Sequence, residues 1–223
     1  MGKLIGVSLS FLGLRWKRWF VHMTRLSITT PAWWADGILL TLDLLMVFDL
    51  YEWSSNMLST HTRRLRPAEV QMLKTVYGEA LPYHRMRIDE YARLGPKQKR
   101  FCYVSFHTIN SWGTMSDALL VHEAMHVFQY AQVGAAYIGH AVRAWSTEMG
   151  YDYGGGEYLR AKNSIWDFNY EQQADIMADA YRLMNHRPAR WHPRSSDMRD
   201  FEPYLKEVSC SKLPRAYQMT VKG

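Results

Sequence analysis

His122, Glu123 and His126 stand in the run His122-Glu123-Ala124-Met125-His126, an H-E-x-x-H pattern. On a helix, residues four apart share a face, one turn from each other. Two imidazoles placed that way can hold one metal ion, and zinc is the usual partner. Glu123 falls on the adjacent part of the surface, where a carboxylate can take a proton from water activated by the ion. The chemistry indicated is metal-assisted hydrolysis. The alternative is a buried helix whose two histidines are simply hydrogen-bonded.

A hydrolytic zinc needs three protein ligands and one open position. The stretch Asn169-Tyr170-Glu171-Gln172-Gln173-Ala174-Asp175 offers the third ligand. Glu171 and Asp175 are again four apart. Glu171 can bind the ion, while Asp175 can accept a hydrogen bond from the remaining ring N–H of His122 or His126 and fix its tautomer. Asp167, Glu148 and His140 stay open as alternative ligands, and a solvated acidic helix face is the competing reading of Glu171 and Asp175.

These side chains need two helices. Thr114-Met115-Ser116-Asp117 has the T-x-x-D form of a capping box, and no Gly or Pro follows until Gly134, so a helix is expected over roughly 115–133. Asn169 caps a second helix over roughly 170–185, closed before Pro188. Pro67 opens a helix near 67–78. Met86–Glu90 reads as a short strand, and Arg100–Phe106 as another just before the metal helix. Residues 135–148 read as a helix despite Gly139. Gly150 and Gly154-Gly155-Gly156 mark a mobile loop flanked by Tyr151, Tyr153 and Tyr158. One of these tyrosines is expected to donate to the developing oxyanion, and Tyr153 is the candidate assigned to catalysis; aromatic packing is the competing role. Beyond Pro188 a basic C-terminal wrap is expected.

With its pairing of H-E-x-x-H and a later E-x-x-x-D, the chain resembles the gluzincin metallopeptidases. The resemblance implies a predominantly helical α+β, zincin-like domain with a small sheet packed on the active-site helix. It also implies one Zn2+ held by His122, His126 and Glu171, with Glu123 as general base and Asp175 as support. In such enzymes an edge strand preceding the metal helix binds extended substrate, a role that would fall to Arg100–Phe106. A narrower resemblance covers about residues 63–182. Arg64-Leu65-Arg66-Pro67-Ala68-Glu69, Met86-Arg87-Ile88-Asp89-Glu90, Leu119 through Tyr130, Tyr151-Asp152-Tyr153 and Tyr170 through Asp175 follow one another. That order is similar to metallopeptidase-like proteins associated with bacterial Rhs and Vgr elements and contractile injection systems. It implies a bacterial effector, with a secretion-apparatus component or an immunity protein as partner.

At 223 residues, 48% hydrophobic and 14% aromatic, the chain can bury a substantial core, and disorder is excluded as its general state. Cys102 and Cys210 make neither a metal-ligand spacing nor a disulfide framework. The net charge of +6 favours anionic surfaces. No zinc-finger, helix-turn-helix or RNP pattern is present, so no nucleic-acid partner is expected.

Residues 1–60 are expected to be an apolar and basic segment packed on or appended to the main domain, 61–223. The apolar stretch at 4–14 is preceded only by Lys3 and followed by no A-x-A-like site, so a cleavable signal peptide is not expected. The expected location is the bacterial cytoplasm before export by a specialised system. Residues 31–53 are the most apolar, interrupted by Asp36, Asp43 and Asp49, which favours a buried helical element over a membrane span. Membrane contact through residues 1–55 is the alternative. The reading these features support is a zinc metallopeptidase acting on polypeptide or another amide. The alternatives are a non-catalytic zinc-containing component or cargo of a secretion system, and a membrane-active toxin.

Overall fold

The computed structural model describes residues 2–24, 28–58, 61–92, 97, 102–145 and 150–214. The N-terminal part forms α1 (Gly2–Thr24), α2 (Pro31–Leu44) and α3 (Val47–Leu58). Thr30 caps α2 by accepting the Trp33 N–H, and Pro31 fills the first helical position. The single buried element expected over 31–53 is not found. The chain breaks after α2, with Met46 at φ +59°, and α2 buries only Gly37, Leu40 and Asp43. Trp34, Ile38, Leu45, Leu50, Trp53 and Met57 remain exposed. Among the described residues no helix is long and apolar enough to cross a membrane.

A four-stranded sheet follows, from β1 (Thr62–Arg64), β2 (Arg87–Asp89), β3 (Tyr103–Ser105) and β4 (Thr108–Asn110), in the order β1-β2-β4-β3. Among the described residues only the β2–β4 pair is parallel. Ile88, Ile109 and Val104 share one register row and point into the main core. The turn joining β3 to β4 holds Phe106 at φ +60°, a costly conformation for a bulky side chain. Packing on Phe48 and Tyr130, at centroid distances of 4.8 and 5.2 Å, offsets that cost. β3 is an edge strand, as expected.

Further α-helices among the described residues are α4 (Pro67–Tyr77), α5 (Asp117–Val133), α6 (Ala136–Trp145), α7 (Gly155–Arg160), α8 (Tyr170–Met184) and α9 (Met198–Ser209). The fold is predominantly helical α+β, with the sheet against α5 through β3 and β4. α5 packs most extensively on α8, and α9 covers the other side of α8.

Two glycines are dictated by close approach. Gly134 ends α5 at φ +73°, and a Cβ there would lie 2.9 Å from Arg18 Nη1 and 3.0 Å from Asp43 Oδ2. Gly139 lies where α6 meets α2, and a Cβ would fall 2.6 Å from Asp36 Oδ1. The glycine that weakened the helical pattern at 135–148 therefore allows helix contact.

Two local expectations are corrected. α5 is capped by Ser116, whose Oγ accepts the Leu119 N–H at 3.3 Å, and not by Thr114. The glycine run does not form a mobile loop. Gly155 and Gly156 are buried and open α7, because Asp152 Oδ1 accepts the Gly154 N–H at 2.8 Å and turns the chain there.

Candidate metal centre

From Leu120 to Ala131 every residue of α5 is buried, including His122, Glu123, His126 and Gln129. Polar side chains in such a place need partners. α8 supplies most of them. Its first turn is fixed by Asn169, whose Oδ1 accepts the N–H groups of Glu171 and Gln172 at 3.0 and 2.9 Å. Glu171 thus sits in the N-terminal turn of α8, where a negative charge is favoured.

His122 Nε2 lies 3.3 Å and His126 Nε2 3.5 Å from the same oxygen, Glu171 Oε2. One potential ligand atom from each residue falls within 4.8 Å of the other two. The opposite ring nitrogens are both committed. His122 Nδ1 donates to Asp175 Oδ1 at 2.8 Å, and His126 Nδ1 donates to Gln129 Oε1 at 2.9 Å. The second assignment follows because the Gln129 amide nitrogen already donates, to Tyr170 O at 3.0 Å and Gln173 Oε1 at 2.9 Å. Asp175 is fixed in turn by Trp191, whose indole N–H donates to Oδ2 at 2.6 Å.

The donor set fits a divalent cation. With both Nδ1 atoms carrying protons outward, two imidazole lone pairs and a carboxylate oxygen converge on one point, and they cohere only around a positive charge. Without a metal, protons meet that need. Burial pulls His122 down, yet its hydrogen bonds to Asp175 and Glu171 outweigh burial and push it up to about 10. Burial also opposes charge on His126, and the Glu171 carboxylate again overrides it and raises the ring. Glu171 is held well below the usual carboxylate range, because the two histidines outweigh its burial.

Glu123 differs. Its Oε2 is buried with no hydrogen-bond partner among the described residues. Burial raises its pKa, and the neighbouring histidines only partly counter this. A carboxylate with an unengaged oxygen beside three convergent donors is placed to exchange a proton with a molecule that enters the site.

The structure brings together His122, Glu123, His126, Glu171 and Asp175, but not Tyr153. The Tyr153 hydroxyl donates to Asp179 Oδ2 at 2.9 Å, and its ring is buried edge-on against Phe201. Two other tyrosines flank the cluster, and Tyr151 lies 6.0 Å between ring centroids from His122. Its hydroxyl is pushed up to about 12, by burial first and then by Glu171, Glu123 and Asp175. Tyr137 lies 6.0 Å from His126 by ring centroid and donates to Val104 O of β3 at 3.2 Å. Of the alternative ligands, Asp167 accepts the Asn163 and Ser164 N–H groups at 3.1 Å, and His140 stacks on Tyr170 at 5.0 Å. Glu148 lies outside the described residues.

Sequence reasoning missed Gln129 and Trp191 as supports. Gln129 was within reach, being three residues beyond His126 on the same helix face. Trp191 was not, because its contact depends on how the chain returns after α8. Beside the site, Cys102, Ser111, Trp112, Gly113, Thr114, Met115 and Leu119 line a cavity of about 400 Å³. Leu119 is one turn before Glu123, and burial followed by the Glu123 charge pushes the Cys102 thiol up to about 12. No protein-family model, curated protein or solved structure matches the chain.

Proposed function

We propose that the chain is a metal-dependent hydrolase of amide bonds, a zinc metallopeptidase of gluzincin type. The observation that carries this reading is the unpartnered, buried Glu123 Oε2 next to the convergence of His122, His126 and Glu171. Zinc is the ion that two imidazoles and one carboxylate suit best, and when bound it acts as a Lewis acid toward water and a substrate carbonyl.

Within that reading the chain's own groups have separate tasks. Glu123 accepts the proton of the attacking water and passes it to the leaving amine. Its raised pKa supports this double role. Asp175 and Gln129 keep both Nε2 lone pairs on the site. Tyr151 donates to the oxyanion, and Tyr137 steadies the edge strand β3, along which an extended polypeptide can lie. A site serving only to stabilise the fold would have no use for a buried carboxylate such as Glu123. The setting we propose, an exported bacterial effector, rests only on the resemblance of the motif order to Rhs- and Vgr-associated proteins.

The test is a comparison of wild type with Glu123→Gln on unfolded casein, with bound metal assayed in both. The expected result is equal metal content and a loss of turnover of about 100-fold or more. Equal turnover in the two proteins would overturn the proposal.

A further inference from the structure

Three pieces of chain build the cavity of about 400 Å³ beside the metal centre. Cys102 stands just before β3, residues 111–115 follow β4, and Leu119 lies in the first turn of α5. Leu119 and Glu123 are four apart and share a helix face, so the cavity lies one turn from the carboxylate assigned to proton transfer.

One wall of the cavity is preformed by backbone hydrogen bonds. The Ser111 N–H donates to Asp89 O at 2.8 Å, the Gly113 N–H to Glu90 O at 2.8 Å, and the Ala92 N–H to Ser111 O at 3.0 Å. Trp112 pairs with Tyr91 as an isolated antiparallel bridge, and the two rings meet edge-on at 6.2 Å between centroids. The Lys97 ammonium lies 5.1 Å from the centre of the same indole ring. Trp112 is thus held in place while its ring stays accessible to solvent. A wall ordered in advance costs little to organise when a ligand enters.

The lining defines what fits. Its residues carry no charged side chain: Trp112, Met115 and Leu119 offer an indole, a thioether and an isobutyl group, and Cys102 a thiol. Burial first, and then the Glu123 charge, keep that thiol protonated at neutral pH. The Ser111 hydroxyl is engaged by Gly113 O at 3.0 Å. A charged side chain entering here would shed its water with no counter-charge to meet it. A ring would instead face an indole and two sulfur-bearing side chains, which are favourable partners for aromatic groups. The volume falls at the small end of the range for pockets that bury a ligand, about 300–1,000 Å³.

On the reading of the site as a hydrolase, we propose that this cavity selects the substrate. It receives a large uncharged side chain, aromatic above all, from a residue next to the scissile bond of a polypeptide laid along β3. Trp112, Met115 and Leu119 set that choice, and Cys102 places a thiol in the wall.

The thiol lets occupancy be read without hydrolysis. The test labels the full chain, as Glu123→Gln, with N-ethylmaleimide at mildly alkaline pH and follows Cys102 and Cys210 by mass spectrometry. Labelling is timed with millimolar Gly-Ser decapeptides that carry one central Phe, Asp or Lys. The Phe peptide should slow the labelling of Cys102 several-fold, while the exposed Cys210 reacts as before. The Asp and Lys peptides should protect neither. In wild type, kcat/KM should favour the Phe peptide by about 10-fold or more. Leu119→Trp, which fills the cavity, should abolish both the protection and the preference. Should that variant fail to fold, the peptide comparison alone decides. Protection by the Phe peptide in a chain that cleaves nothing would uphold the pocket and count against the hydrolase. No protection, or equal protection by all three peptides, would overturn the pocket and leave the hydrolase to its own test.

Discussion

The Nδ1 of His126 donates to Gln129 Oε1, three residues further along the same helix, at 2.9 Å. Its counterpart His122 uses a carboxylate from another helix, Asp175. One imidazole is therefore oriented by a neutral acceptor and the other by a charged one. Gln129→Leu and Asp175→Asn should each lower zinc affinity by about 10–100-fold, measured by chelator competition. Gln129→Glu, which keeps an acceptor at the same reach, should restore most of the loss. Wild-type affinity in Gln129→Leu would show that the contact does not position the ligand.

The ligands themselves should behave more severely. Wild type is expected to hold about one zinc per chain by elemental analysis. His126→Ala and Glu171→Ala should each purify with little or none. A Glu171→Ala protein that keeps full metal content would remove Glu171 from the ligand set and reopen the question of the third ligand.

The two tyrosines should separate cleanly. Tyr153→Phe removes a buried hydrogen bond to Asp179 and should cost about 1–3 kcal/mol in urea unfolding, with turnover of the folded protein unchanged. Tyr151→Phe should leave stability nearly intact and lower kcat by about 100-fold, if its hydroxyl serves the oxyanion. The reverse pattern would return the catalytic role to Tyr153.

Glu52 gives a pH dependence whose sign is fixed. Burial opposes its charge, but the charge and hydrogen bonds of His107 outweigh burial and hold the carboxyl below its ordinary 4.5. Arg85 adds to this in the same direction. A carboxyl lowered on folding contributes stability that is present above the unfolded value and disappears as pH falls through the folded one. Wild type should therefore lose stability as pH drops below about 4.5 more steeply than Glu52→Gln. Parallel slopes in denaturant titrations of the two proteins would contradict the assignment.

Local patterns in the sequence reached the centre of the site because local rules govern it. The spacing of His122 and His126, and of Glu171 and Asp175, is helix geometry, and Asn169 caps α8 by accepting N–H groups two and three residues on. The start of α5 was displaced because Ser116 and Thr114 are both capable caps, and only the path of the preceding strand selects between them. Tyr153 was misplaced because its neighbours come from α8 and α9, which no spacing near residue 153 encodes. The apolar run at 31–53 reads as core, since hydropathy alone does not distinguish a face buried in protein from one left exposed.

The helix that carries both histidines does not end on its own resources. Arg18 of α1 donates to the carbonyls of Ala131 and Gln132, in the last turn of α5. On the far side, Glu52 of α3 accepts the backbone N–H and the ring proton of His107, in the turn that leads from the edge strand into β4. Trimming the chain near residue 60 to improve its handling would therefore unfasten both the end of the histidine helix and the strand beside it. An inactive truncated protein would say nothing about the chemistry, because the apolar helices double as fittings of the site they flank.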